Sequence, residues 1–475
     1  MRPLQVVDGH LLLQAIGEVN TTWHLHRLRV LAWRRLAWRT RRRAGLTILM
    51  AMLAVGISTP VTGEEASSVH FGLHLEYEHF SYLADRGGQL VDSRNALTAI
   101  PKIDWAPTDS VLLHFSTLLR QDFSEDSRSQ VYPYDAFLSI DREGWSLKVG
   151  RQFISWGRAD GFRPTDEFKR HDFTDLIENR EEAIDAAKLD LAWGSWTLES
   201  VWAPVFRPDV ISYRPENRWN GLPTATDVPT FGLVNLSFRT APSQPAQTLG
   251  TGQVGMRLSG SAQGWDFAGM YYYGYDRVPT FTRRELARFD PLSQTAKITL
   301  VPVHKRIQVF GGDVATTFSG FGLRAEAAYT LTSPLGPGVS GTNDPYFRFT
   351  GGVDRTFTRL PIGESVLVIV QYAVDTAPQP PIQSLQTEVD PRLHFFQHAM
   401  VVNTTWKYTE FVRLGMKTYV NLLQGDYVLQ PELAWRPLDP ITVVVGGDVL
   451  GGRPATFFGQ FRENGRIRFR VSYDF

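Results

Sequence analysis

The chain has no cysteine in 475 residues. Disulfide cross-links and thiolate-bound metals are therefore excluded. Net charge is absent too, because 49 basic residues balance 49 acidic ones. Without a basic excess the chain is a poor partner for nucleic acid. Beyond residue 63 there is no long apolar run, so nothing there can cross a membrane as a helix. Mean hydropathy is slightly negative, where a helical membrane protein of this size is much greasier. No nucleophile elbow or recognisable Ser-His-Asp arrangement is present. These absences point to a non-enzymatic protein with no metal and no cofactor.

What is present is alternation. The last ten residues place Ile467, Phe469, Val471, Tyr473 and Phe475 on one face, with Arg466, Arg468, Arg470, Ser472 and Asp474 on the other. A period of two defines a β-strand. One apolar and one charged face fits a barrel strand with lipid outside and water inside. The same pattern recurs along the chain. Val69, Phe71, Leu73, Leu75 and Tyr77 share a face, as do Leu97, Ala99, Pro101, Ile103 and Trp105. Tyr132, Tyr134, Ala136, Leu138 and Ile140 read as another outward row, and so do Phe321, Leu323, Ala325, Ala327 and Tyr329. A high share of Phe, Tyr and Trp suits the aromatic girdles of such barrels.

Short and long connections alternate. Tight links fall at 141–144, 193–195, 261–264, 319–320 and 437–440, each rich in turn-forming residues. Long connections fall near 155–186, 203–252, 276–305, 331–345, 376–393 and 451–465. The reading is an all-β, transmembrane, antiparallel up-and-down barrel of about 18 strands, with short periplasmic turns and long extracellular loops. Sixteen strands also fit the boundaries. The stretch 456–462 goes to the last external loop, because two periplasmic termini require an even count.

The first residues carry an address. Arg34, Arg35, Arg39, Arg41, Arg42 and Arg43 precede an apolar run at 44–57, and small residues follow at 61–63. That is the order of a secretory signal. The expected division is an N-terminal extension and signal over 1–63 and a barrel over 64–475, delivered to the cell outer membrane. Outer-membrane lipid and lipopolysaccharide are its expected surroundings.

Several motifs carry less than their pattern promises. Gly250, Gly252 and Gly255 match G-x-G-x-x-G, but a strand follows where the dinucleotide fingerprint needs a helix. His70, His74 and Glu76 share a polar strand face, yet residues four apart on a strand are separated by about 13 Å, too far for one ion. His394 and His398 have the same problem. Segment 160–185 is more telling, with nine acids against four bases. Folded into the lumen it would constrict the pore, and Arg158, Asp160, Asp166, Glu167, Asp172 and Asp175 are its candidate constriction residues. Lumen selectivity candidates are Lys148, Arg257, Arg324, Glu326, Arg413, Lys417, Glu432, Arg436, Arg466, Arg468 and Arg470.

Gly150-Arg151-Gln152, Trp156-Gly157, Asp160, Pro164-Thr165-Asp166, Val201-Trp202-Ala203-Pro204 and the Tyr473-Asp474-Phe475 end together resemble a large family of uncharacterised Gram-negative outer-membrane barrels, a domain of unknown function. Gly150-Arg151-Gln152 is also similar to the alginate-export family, whose barrels have 18 strands. The resemblance implies insertion by the barrel-assembly machinery, with Tyr473 and Phe475 as the assembly signal. The function expected is a porin-like channel for passive or substrate-selective passage of small solutes. The alternative is a structural or interaction barrel of an envelope complex, plugged by its own loops.

Overall fold

The computed structural model describes residues 68–84, 92–125, 128–214, 217–222, 225–228, 232–241, 245–333, 345–376 and 397–475. The signal segment and His394 lie outside the described residues. In chain order the strands are β1 (Ser68–Tyr82), β2 (Ser93–Thr108), β3 (Val111–Asp122), β4 (Gln130–Arg142), β5 (Trp145–Gln152), β6 (Arg170–Asp172), β7 (Arg180–Glu182), β8 (Ile184–Trp193), β9 (Trp196–Ala203), β10 (Ala225–Val228), β11 (Gly232–Thr240) and β12 (Gln253–Ala262). They continue as β13 (Trp265–Tyr275), β14 (Thr280–Asp290), β15 (Thr295–Val303), β16 (Arg306–Phe318), β17 (Phe321–Thr332), β18 (Tyr346–Thr358), β19 (Ser365–Asp375), β20 (His398–Lys407), β21 (Val412–Asn421), β22 (Tyr427–Leu438), β23 (Ile441–Gly451) and β24 (Arg466–Asp474).

Eighteen of these strands form one antiparallel sheet, each paired with the next in sequence. The ring closes where β1 pairs with β24, from His74 opposite Asp474 to Tyr82 opposite Arg466. Leu73 and Phe475 add a reciprocal pair of backbone hydrogen bonds at 2.9 Å. Closure leaves the wall with no open edge.

The alternation seen in the sequence is the inside–outside alternation of this wall. On β24, Ile467 is 53% exposed while its neighbour Arg466 is 1% exposed. Phe71, Trp105, Trp265, Leu323, Trp435 and Phe469 are all exposed on the outer surface. One end of the barrel carries the two-residue turns. At Gln263-Gly264 and Ser319-Gly320 both central residues have positive φ, the mirror-image turn whose twist matches a hairpin. The other end carries the long connections. Residues 456–462 belong to one of them, and Gly459–Asn464 is a short 3-10 helix.

Two expectations need correction. Tyr132 and Tyr134 do not lie on the outer face with Ala136, Leu138 and Ile140. β4 advances from Pro133 to Ala136 while β3 advances only from Phe115 to Thr117. The extra residue is a bulge that reverses the alternation, and the Tyr132 hydroxyl donates inward to Glu182 at 2.7 Å. The connections 203–252 and 276–305 are also not plain loops. They contain β10, β11, β14 and β15, which build a separate four-stranded sheet. Within it β11 and β15 run parallel, a pairing that no local hairpin signal can reveal.

Candidate functional site

The segment 153–183 between β5 and β8 turns into the barrel. Its apolar residues explain why. Ile154, Trp156 and Phe168 are buried in one cluster with Val201, Met270, Tyr272, Ile307, Val309 and Ala328 from the inward faces of the wall. Trp156 meets Phe168 edge-on, and Phe168 meets Tyr272 likewise, both at 5.1 Å between ring centres. Gly255 makes room for this packing. A Cβ there would lie 2.5 Å from the Phe168 ring and 2.7 Å from Trp156. The third glycine of the G-x-G-x-x-G match thus has a steric purpose.

Polar contacts then carry the segment across the lumen. Gly157 has φ +88°, and a Cβ on it would strike the Glu326 carboxylate. Only glycine lets the backbone pass so close. The Arg158 and Ala159 amides donate to Glu326 Oε1 at 2.7 and 3.3 Å. Arg158 reaches Asp313 at 2.7 Å, and Arg324 reaches Asp160 at 2.8 Å. The Gly161 amide donates to Gln371, and Thr350 donates to the Phe162 carbonyl, each at 2.9 Å. Arg348 pairs with Glu167. This half is therefore fastened to β16–β19.

The second half is fastened to other strands. Arg466 donates to Asp175 and to Asp448, each at 2.6 Å, with its guanidinium 4.4 Å from the centre of the Phe80 ring. Arg94 on β2 also reaches Asp175, at 3.3 Å. Glu178 accepts from Arg468 and from Arg470, and the Arg470 contact is 2.9 Å. Burial alone would raise the Asp175 carboxyl, but the adjoining Arg466 overrides it and holds Asp175 well below the usual carboxylate range. Elsewhere burial prevails. It pushes Asp166 up to about 6, against the Trp156 amide and the Ser155 hydroxyl, and Asp209 in the neighbouring connection also up to about 6. Burial lowers His171 to about 4.

The remaining candidates are placed as follows. Asp172 is buried and accepts the Thr174 amide at 2.9 Å. Arg257 bridges Glu199 and Asp313 at 3.0 and 2.9 Å. Lys148 points inward over the Phe137 ring at 4.4 Å. Glu432 stands 3.8 Å from Arg468. Arg413, Lys417 and Arg436 occupy inward positions of β21 and β22, and no ion pair holds them among the described residues. Tyr473 and Phe475 lie on the outer face, exposed. The His70, His74 and Glu76 row holds no metal cluster among the described residues; His74 bonds Asp474 at 2.7 Å and Glu76 pairs with Arg470. Sequence reasoning missed Arg94, Asp313, Arg348 and Gln371. Their signal was only an inward position on an alternating strand, which every lumen residue shares.

Above the inserted segment, a cavity of about 360 Å³ lies between it and the inward faces of β18, β19, β21 and β22.

Fold and site together define a closed 18-stranded barrel with a charged interior crossed by its own polypeptide. Residues 119–475 match the family described as protein of unknown function DUF1302, and the chain belongs to that family. No curated protein matches it. Among solved structures, it is similar to Pseudomonas aeruginosa OccK3 (OpdO), at 11% identity and a TM-score of 0.48 over 86% of this chain and 95% of that one. It is also similar to Acinetobacter baumannii OccAB4, at 10% identity and a TM-score of 0.46 over 88% and 100%. Vibrio cholerae OmpT, an outer membrane protein, matches at 8% identity and a TM-score of 0.40 over 86% and 100%.

Proposed function

We propose that this protein is an outer-membrane channel for small solutes. The carrying observation is the path of segment 153–183, which is fastened to β16–β19 by Arg158, Asp160 and Glu167 and to β2 and β24 by Asp175 and Glu178. A segment held on separate stretches of a closed wall narrows the lumen without moving with the loops outside. The exposed apolar ribs of the outer surface meet lipid, and the lipopolysaccharide leaflet surrounds the long-loop end. Tyr473 and Phe475 serve the assembly machinery in this reading, and export relies on residues 1–63.

The charges divide into two groups. Arg257, Arg324, Arg466, Arg468 and Arg470 are bound to acids and hold the segment and the wall together. Arg413, Lys417 and Arg436, like Lys148, hold no ion pair among the described residues and stand free to act on a passing ion. Planar-bilayer recording tests the proposal. Purified folded barrel gives stepwise ion currents, and deletion of residues 157–181 enlarges the steps. No current from either folded form refutes the channel.

The rival reading is a structural barrel plugged by its own loops. It draws on the cluster that seats Trp219, Phe458 and Phe461 against Leu176 and Ile177, so that three connections pack on one another. Absence of current together with recovery of a stoichiometric envelope partner favours it.

A further inference from the structure

The cavity above the inserted segment has two unlike sides. One side is apolar. Leu176, Ile177, Tyr419 and Phe457 pack there on the cluster of Val428 and Phe458, and Phe162 shares Tyr419 with the neighbouring cluster of Ala373, Ala399 and Val401. The other side is ionised and comes from the inserted segment, residues 276–277, Asp209 and β18. Cavities of this size, with an apolar wall and a few placed polar groups, are the usual form of small-molecule sites.

The ionised side settles which headgroup fits. Each of its basic side chains is already engaged by the protein. Arg277 donates to the Glu167 carbonyl, the Arg207 carbonyl and Gln253. Arg348 is taken by Glu167, and Lys169 by Glu181. Arg163 donates to the Ala159 carbonyl and to the Ser155 hydroxyl, at 2.6 and 2.7 Å. Acceptors are more plentiful, since seven Asp and Glu line the cavity against four Arg and Lys. A carboxylate offers about four acceptor positions. Asp209 takes the His171 amide through Oδ1, and Asp276 takes the Val278 amide the same way. Burial lifts Asp209 to about 6, and a cation placed beside its carboxyl would favour the ionised form. Aromatic faces at the apolar side also attract cations.

We propose that this cavity is a binding station for small amphipathic organic cations, with the apolar body against Phe162, Tyr419 and Phe457 and a primary ammonium or guanidinium head on Asp209 and Asp276. The site rests on the channel reading and names the solute class that pauses there. Arg413, Lys417 and Arg436, which hold no ion pair among the described residues, lie on the turn-end side of Tyr419, so a positive solute meets the cavity first when it enters from the long-loop end.

Calorimetry on the full detergent-solubilised chain tests this, with 2-phenylethylammonium, 3-phenylpropanoate and 3-phenylpropanol as matched probes. The ammonium binds at least about tenfold tighter than the carboxylate, the difference expected from one charge-assisted contact. The double variant Asp209→Asn with Asp276→Asn loses that preference and keeps its β circular dichroism. Tyr419→Ala weakens all three probes together. Equal binding of ammonium and carboxylate, or tighter binding of the carboxylate, overturns the proposal. So does a preference that survives the double substitution. Bilayer recording separates the two readings: a conducting barrel without cation preference keeps the channel and loses the site, and a silent barrel that prefers the ammonium keeps the site and loses the channel.

Discussion

Arg466 is the residue on which the inserted segment depends most. Its side chain is fully buried between Asp175 and Asp448 and stacks on Phe80. A buried charge is tolerable only while its partners remain. Asp175→Ala leaves Arg466 and Arg94 facing a void, with an expected loss of about 3–5 kcal/mol. Urea unfolding of the detergent-solubilised barrel reads that loss, and a change below 1 kcal/mol would show the pair to be incidental. A second expectation concerns pH. The folded-state pKa of Asp166 is raised to about 6. Its contribution is fully present below the unfolded carboxylate value and is lost as pH rises through 6. His171, lowered to about 4, acts in the opposite sense: its contribution is present above the unfolded imidazole value and is lost as pH falls through 4. The two offset each other across this window. Asp166→Asn removes only the first, so stability at pH 7 relative to pH 4 increases by roughly 2–3 kcal/mol over the parent chain. An unchanged pH profile contradicts the assignment.

The inserted segment and β12 fit because Gly255 has no side chain. Gly255→Leu drives a side chain into the Phe168 and Trp156 rings, an overpacking of about 1–3 kcal/mol. The segment is expected to loosen, seen as protease cleavage within 153–183 while the barrel stays intact. Resistance equal to the parent would show that the packing tolerates the intrusion. Element by element, the wall strands were legible because alternation is local. Val69 to Tyr77 and Ile467 to Phe475 declare their faces with no knowledge of neighbours. The β4 bulge was not legible, since it shows only as a mismatch against β3. The course of 153–183 was legible only as an acid-rich length of suitable size. Its anchors, Glu326 for Arg158 and Arg466 for Asp175, lie 168 and 291 residues away, and sequence distance on that scale conveys no geometry.

For the whole molecule, closure of the sheet and the sign of its faces carry everything else. The β1–β24 seam joins residues near the two ends of the described chain, and every inward charge owes its position to that ring. Because the native chain has no cysteine, single cysteines along β24 report on the wall without background. The decisive measurement is reactivity of cysteines placed one at a time from 467 to 473 in barrel reconstituted in lipid vesicles, read with a water-soluble maleimide and a lipid-phase probe. Cysteines at 467, 469, 471 and 473 are expected to react only from the lipid phase, and those at 470 and 472 only from water. The reverse alternation, or no alternation at all, would contradict a barrel that turns its apolar ribs to lipid and its arginines to the lumen.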